Sequence, residues 1–246
     1  MATQRYIDRR AALTTYFDRT AIDSWKAFAT DRPISRIRET VREGRTRMRS
    51  LILAQLPRDL NGWRILDAGC GTGAMSVELA RRGASVLGID LSSESIRYAQ
   101  ANWPRDVSMA EVMFQEGDML ERSHGTFDAV VAMDSLIHYA TEDAIESLTQ
   151  LEARTARRIV FTHAPATPAL RTMHAVGKLF PRSDRSPAIV PTASTTLRTL
   201  MTEANAQAYG EGELGERWAV GATRVVSSGF YTSQMVVLHS AGDRSR

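Results

Sequence analysis

Cysteine is almost absent from this chain of 246 residues, where Cys70 stands alone. A single cysteine closes no internal disulfide, and without Cys-x-x-Cys pairs there is no thiolate zinc site, so disulfide scaffolds and zinc modules are excluded. Lysine is nearly as scarce: only Lys26 and Lys178 appear among 31 basic residues, which leaves 29 arginines. A GC-rich coding sequence accounts for that choice of residue but not for where the charge lies. Long apolar runs are also missing. No stretch approaches the roughly 18 residues that a bilayer crossing needs, and the polar start MATQRYIDRRAALTTYFDRT has no signal-peptide core. A cytoplasmic protein is expected, in contact with a membrane at most from its surface.

What the chain does have is an ordinary globular composition, 43% hydrophobic and 24% charged, at a length that suits one α/β domain. The net charge of +3 is unevenly spread. The first 60 residues carry 13 basic against 7 acidic side chains, whereas the other 186 carry 18 against 21. A basic segment meets nucleic acid, an anionic membrane or an acidic ligand. Within it Ile34, Ile37, Val41, Met48, Leu51 and Ile52 recur at helical spacing, and Arg38, Arg42, Arg45 and Arg49 follow the same spacing on a neighbouring face. An amphipathic helix with an arginine stripe is predicted, and residues 1–60 are expected to form a helical arm that folds over the rest as a lid.

Asn61-Gly62 marks a turn, after which short apolar runs alternate with helical stretches. The runs 64–67, 85–89, 112–114, 127–132 and 158–161 read as buried parallel strands joined by helices, a Rossmann-like arrangement. Residues 163–192, rich in Pro, Arg and Thr, read as a long connection with one helix over 170–179. A helix over 195–207 and strands near 216–220 and 225–238 complete an open sheet in residues 61–246.

The strongest local signal is Asp67-Ala68-Gly69-Cys70-Gly71-Thr72-Gly73, a strand end that turns through glycines into a helix. Glycine permits the tight turn and lets a ligand lie on bare backbone. Gly69, Gly71 and Ala74 also satisfy a dinucleotide fingerprint, so the glycines alone do not name the ligand. Asp67 narrows the choice, because a carboxylate there repels a pyrophosphate and attracts an ammonium group, as in the methionine part of S-adenosylmethionine. Asp90, at the next strand end, suits the two ribose hydroxyls of an adenosine. After the third strand, Gly117-Asp118-Met119 offers an acceptor for the adenine amino group and a side chain to pack on the ring. Leu91 and Met133 complete the expected cofactor shell. Cys70 has no basic neighbour in sequence and is not expected to act as a nucleophile.

These residues resemble the class I S-adenosylmethionine-dependent methyltransferases, which implies a seven-stranded, mostly parallel sheet with the last strand antiparallel. Outside the cofactor motif, residues Tyr16 to Trp25, Val41 to Arg45, Asp134 to Tyr139 and Leu179 to Pro181 are together similar to the magnesium-protoporphyrin IX O-methyltransferases of chlorophyll and bacteriochlorophyll synthesis. Ser24 and Ile22 depart from the arginine and the aromatic residue usual in that family. The resemblance implies methyl transfer from S-adenosylmethionine to a propionate carboxylate of magnesium protoporphyrin IX, with magnesium arriving in the substrate and no metal site of the protein's own. It also implies the large porphyrin-binding subunit of magnesium chelatase as a partner, and a position peripheral to photosynthetic membranes. An O-methyltransferase for another carboxylate or a phenol, such as a quinone precursor, would share every cofactor residue.

Within this reading His138 follows the fourth strand, where an open α/β sheet places its ligands, and is expected to donate to the acceptor carboxylate or act as base. Tyr16, on the arm, would cover the sulfonium with its ring or bind a carboxylate through its hydroxyl. The arm's apolar face is Phe17, Ile22, Trp25 and Phe28. Arg38, Arg42 and Arg45 are either a solvated face or partners of propionates or anionic lipid, with His163 and Phe180 as further substrate contacts. Nucleic acid is the weakest reading, since no stacking platform accompanies the charge.

Overall fold

The computed structural model describes residues 3–18, 36–166, 189–209 and 218–243. Their strands form one seven-stranded sheet in the order β3-β2-β1-β4-β5-β7-β6. The strands are β1 Arg64–Ala68, β2 Ser85–Asp90, β3 Val112–Glu116, β4 Phe127–Ala132, β5 Thr155–His163, β6 Trp218–Ser228 and β7 Tyr231–Ser240. The first five pair in parallel, β7 runs antiparallel to β5, and β6 runs antiparallel to β7. Central strands such as Phe127-Asp128-Ala129-Val130-Val131-Ala132 are apolar on both sides because both faces of the sheet are covered.

The helices are α1 Gln4–Tyr16, α2 Arg36–Leu53, α3 Ala74–Arg81, α4 Ser93–Ala101, α5 Thr141–Glu152 and α6 Ser194–Tyr209. One face of the sheet packs Phe161, Val130 and Leu238 against Leu148 and Leu151 of α5 and Leu197 and Met201 of α6. On the other, Val131, Val160 and Val237 meet Met48 and Ile52 of α2 and Leu79 of α3. Full burial of a side chain such as Met48 or Ile52 contributes about 1.5–3 kcal/mol, so α2 belongs to the core. Of the two helices described in residues 1–60, the segment expected as a lid, α2 packs into the core on the sheet while α1 packs in a separate cluster with Tyr139, Leu91 and Leu120.

Two contacts fix α2 against the β6–β7 hairpin. A Cβ built on Gly44 falls 2.4 Å from the Tyr231 ring, so only glycine lets the helix approach this closely. One turn earlier Thr40 packs on Gly229 and accepts from Phe230 N–H at 3.4 Å.

The last two strands break elsewhere than the sequence pattern predicts. Gly221 and Ala222, read as a gap between strands, form a shift in register inside β6, with Gly221 lying against the His239 ring. The real turn is at Gly229-Phe230, where Gly229 has φ 55. The long connection after β5 has both of its described ends pinned, Pro165 bridging Thr192 and Val190 N–H donating to Ile137 O at 2.8 Å. The helix expected over 170–179 lies outside the described residues. Among the described residues no helix is long and apolar enough to cross a membrane.

Candidate active site

A cleft of about 1050 Å³ opens at the C-terminal ends of β1, β2 and β4, where parallel α/β sheets bind their ligands. The floor is the glycine loop. Gly69 has φ 80, and a Cβ there would fall 2.4 Å from the Cβ of Ser135, so both conformation and space require glycine. Gly69 and Cys70 N–H both donate to Ile89 O, at 2.8 and 3.0 Å, tying the loop to the end of β2. Gly71 lines the cleft, whereas Gly73 does not: it starts α3 with its backbone against Phe114 and Ala99. Cys70 lines the cleft too, but burial pushes its thiol well above the ordinary range, so it stays protonated.

Two buried carboxylates face this floor. Asp67 is 2% exposed and accepts from Ser76 Oγ at 2.6 Å. Burial, only partly offset by that hydrogen bond and reinforced by nearby Asp90, pushes its carboxyl up to about 6. Asp90 is raised as well, by burial, although Gly71 N–H and Ser92 N–H donate to its two oxygens at 2.8 and 2.9 Å. Each Asp90 oxygen keeps a lone pair for the two hydroxyls of a ribose. A pair of buried, poorly compensated anions fits a cationic ligand, and that is the test S-adenosylmethionine passes here.

Asp118 also lines the cleft, with Leu91, Gly117, Met119 and Met133. Its carboxylate is already engaged. Tyr6 Oη donates to Oδ1 at 2.8 Å and Arg10 Nη1 to Oδ2 at 2.5 Å, both from α1, while Leu120 N–H also donates to Oδ1. Tyr6 stacks on Tyr139 with ring centroids 4.8 Å apart. Further anchors are Arg5 on Asp143 at 2.6 Å, Arg9 on the main-chain oxygen of His138 at 2.6 Å and Asp18 on Ser92 Oγ at 2.7 Å. The first helix is thus a cover fastened by polar latches, and Asp118 is one of them.

His138 stands where the sequence puts it, in a 3-10 turn after β4, buried and lining the cleft, with its ring edge-to-face against Phe17 at 5.6 Å. Tyr16 is not in the lining and instead contacts Phe17 edge-to-face at 5.4 Å. The cover residues that line the cleft are Tyr6, Leu13 and Phe17. Their spacing, with Arg10 between them, is itself a helix face readable in the sequence. The expected face members Ile22, Trp25 and Phe28 lie outside the described residues, as does Phe180.

The arginine stripe divides. Arg38 is exposed and Arg42 pairs with Glu39 at 3.0 Å, both away from the cleft. Arg45 and Arg49, further along α2, line it. Arg45 Nη1 lies 2.8 Å from Asp134 Oδ2. Burial, then the like charge of Arg45, lowers the Arg49 guanidinium, which also feels Asp67. Arg49, of the predicted stripe, and Asp134 and Ser135, of the stretch similar to the family, also line the cleft, although the sequence assigned none of them to the site.

His163 does not reach this cleft. Alternation along β5 sends it to the face covered by α6, where its ring is buried beside a second, smaller cavity bordered by Leu197 and Gln234. Among the described residues no group of three or more His, Cys, Asp or Glu side chains is arranged to hold a metal.

The family described as magnesium-protoporphyrin IX methyltransferase C-terminus matches residues 132–239, and a general methyltransferase domain matches 65–158. The chain is 48% identical over 194 residues to a magnesium-protoporphyrin O-methyltransferase of Rhodobacter capsulatus, covering 78% of this chain and 86% of that one. It is 31% identical over 182 residues to the protein of the same name from Synechocystis sp., covering 73% and 79%. In fold it is similar to the crystal structure of magnesium protoporphyrin IX methyltransferase from Synechocystis PCC 6803 with bound SAH, with a TM-score of 0.77 at 24% identity over 94% of this chain and 100% of that one. With glycine loop, paired acids and post-β4 histidine all meeting in one cleft, this chain belongs to the magnesium-protoporphyrin O-methyltransferase family.

Proposed function

We propose that this protein transfers the methyl group of S-adenosylmethionine to a propionate carboxylate of magnesium protoporphyrin IX, giving the monomethyl ester in chlorophyll or bacteriochlorophyll synthesis. The observation that carries the reading is the meeting, in one cleft, of two buried acids and two arginines in a chain of this family. When bound, S-adenosylmethionine supplies a methyl group that an oxygen nucleophile takes as the carbon–sulfur bond breaks, the electron pair staying on sulfur.

Asp67 holds the cofactor's ammonium group and Asp90 its ribose. Arg49, on the Asp67 side, takes the cofactor's carboxylate, and Arg45, one turn earlier and nearer the end of β4, takes that of the acceptor. Two guanidinium groups thus answer two carboxylates. A propionate is ionised at neutral pH, so no strong base is required. The protein's task is to align and to exclude water, and an oxygen held in line about 3–3.5 Å from the methyl gains several kcal/mol of the barrier. His138 donates to that carboxylate as water leaves it, with Phe17 and the rest of α1 closing the cleft above. A sulfonium and a carboxylate become neutral products, a change that a water-poor cleft favours.

Residues 163–192 belong to the same proposal as the segment that covers the porphyrin, which is supported by the bond from Val190 N–H to Ile137 O, next to His138. So do delivery by the porphyrin-binding subunit of magnesium chelatase and contact with a membrane surface. These rest on the apolar, acidic character of the acceptor and the exposed Arg38. Incubation with labelled S-adenosylmethionine and magnesium protoporphyrin, metal-free porphyrin and a quinone precursor in parallel tests the function. A labelled porphyrin ester is expected. Label in the quinone precursor alone would replace this reading by phenol methylation.

A further inference from the structure

Among the described residues Asp134 is the one non-glycine residue with positive φ, at 55°. A left-handed backbone is unfavourable for an L-residue, and aspartate and asparagine tolerate it best. Strain kept at a cleft invites a functional reason. The Asp134 side chain, 5% exposed, gathers four donors. Thr162 Oγ1 and Ser233 Oγ reach Oδ1 at 3.0 and 3.2 Å, Tyr231 Oη lies 3.2 and 3.1 Å from the two oxygens, and Arg45 Nη1 reaches Oδ2 at 2.8 Å. Its own N–H donates to Thr162 Oγ1 at 2.7 Å.

These donors occupy both carboxylate oxygens, so the side chain is held by the protein rather than offered to a ligand. Three of its donors come from β5 and β7, strands locked in the sheet. The fourth is a long side chain from α2 that enters the cleft. An arginine loses much rotamer entropy when it is held, and Asp134 is a fixed point for this one.

The geometry points to Asp134 as a positioning residue: anchored to the sheet by hydroxyls, it presents the Arg45 guanidinium to the acceptor's carboxylate and acts on the reaction only through Arg45. The inference rests on the acceptor reading above.

Asp134→Asn tests it, because asparagine keeps the backbone conformation, the volume and an acceptor oxygen for Thr162 and Ser233, and replaces the charged oxygen that faces Arg45 by an NH2 group that cannot accept. The KM for magnesium protoporphyrin should rise roughly ten- to hundred-fold, the size expected for loss of a charged hydrogen bond, with kcat much less affected. The dissociation constant of S-adenosylhomocysteine by calorimetry should not move. Arg45→Ala, which leaves Asp134 its three hydroxyls and threatens the fold less, should raise KM at least as far. Asp134→Asn added to Arg45→Ala should change nothing more. An unchanged KM, a parallel loss of cofactor affinity, or a further loss in the double variant overturns the inference. Wild-type protein that neither binds nor esterifies magnesium protoporphyrin overturns the acceptor reading and this inference together, whereas normal wild-type turnover with an indifferent Asp134→Asn overturns the inference alone.

Discussion

Replacing Asp67 by asparagine should make the ligand-free protein more stable and the cofactor site worse. The carboxyl is pushed up to about 6 from an ordinary value of 3.8, chiefly by burial. At about 1.4 kcal/mol per pH unit, the ionised form costs the empty protein about 3 kcal/mol at neutral pH. The sign follows from linkage: a carboxyl raised on folding favours the folded state below its unfolded value and loses that contribution as pH rises through the folded one. Wild type should therefore lose stability relative to Asp67→Asn between pH 4 and pH 7 and run parallel to it above. Asparagine occupies the same volume and can still accept from Ser76. For a chain of this length about 3 kcal/mol is roughly 6–12 °C of melting temperature. Saturating S-adenosylmethionine should narrow the gap, since its ammonium group compensates the wild-type charge, and the variant's affinity should drop roughly ten- to hundred-fold. Wild-type affinity should also weaken as pH falls below about 6, while the variant's stays level. Calorimetric melting from pH 4 to pH 8, with and without cofactor, reads all of this. Superimposable melting curves at every pH, or equal affinities, would refute the cation-site argument.

His138→Gln should lower turnover about ten- to hundred-fold and leave S-adenosylhomocysteine binding unchanged, and full activity would take His138 out of the reaction. Tyr6→Phe strips one donor from the buried Asp118 and loosens the α1 cover; stopped-flow measurement should show S-adenosylhomocysteine leaving several-fold faster, and an unaltered rate would mean that Arg10 and Asp143 suffice as latches. Gly44→Ala drives a methyl group into the Tyr231 ring and should cost about 1–3 kcal/mol in urea unfolding, with a wild-type midpoint showing that α2 can shift away.

How legible the protein is in its sequence depends on how local each cause is. The five parallel strands announce themselves because burial on both faces makes them short continuous apolar runs, and the glycine loop because only glycine adopts its conformation. Asp67 and Asp90 are legible by position, each ending a strand. Asp118 is placed correctly in the cleft, but its engagement by Tyr6 and Arg10 depends on how α1 docks, which no spacing within residues 115–120 encodes. The same holds for the arginine stripe. Four arginines at one spacing look equivalent until the helix is laid on the sheet, after which Arg45 and Arg49 line the cleft and Arg38 and Arg42 do not. Asp134 carries no sequence mark of its left-handed backbone, and its donors lie 28 to 99 residues away. Strand alternation separates His163 from the cleft: one residue further along β5 than Thr162, it belongs to the opposite face.

The order β5-β7-β6 has a consequence in time. The outermost strand is made before the strand that must separate it from the rest of the sheet, so β6 has no place to pair until β7 leaves the ribosome. At about 5–20 residues per second the wait is a second or so, and the two strands then dock as a finished hairpin. That hairpin brings Tyr231 and Ser233. A nascent chain can thus assemble its cofactor loop well before Asp134 acquires the neighbours that anchor it, so the Asp134 side of the cleft comes into existence after the glycine-loop side.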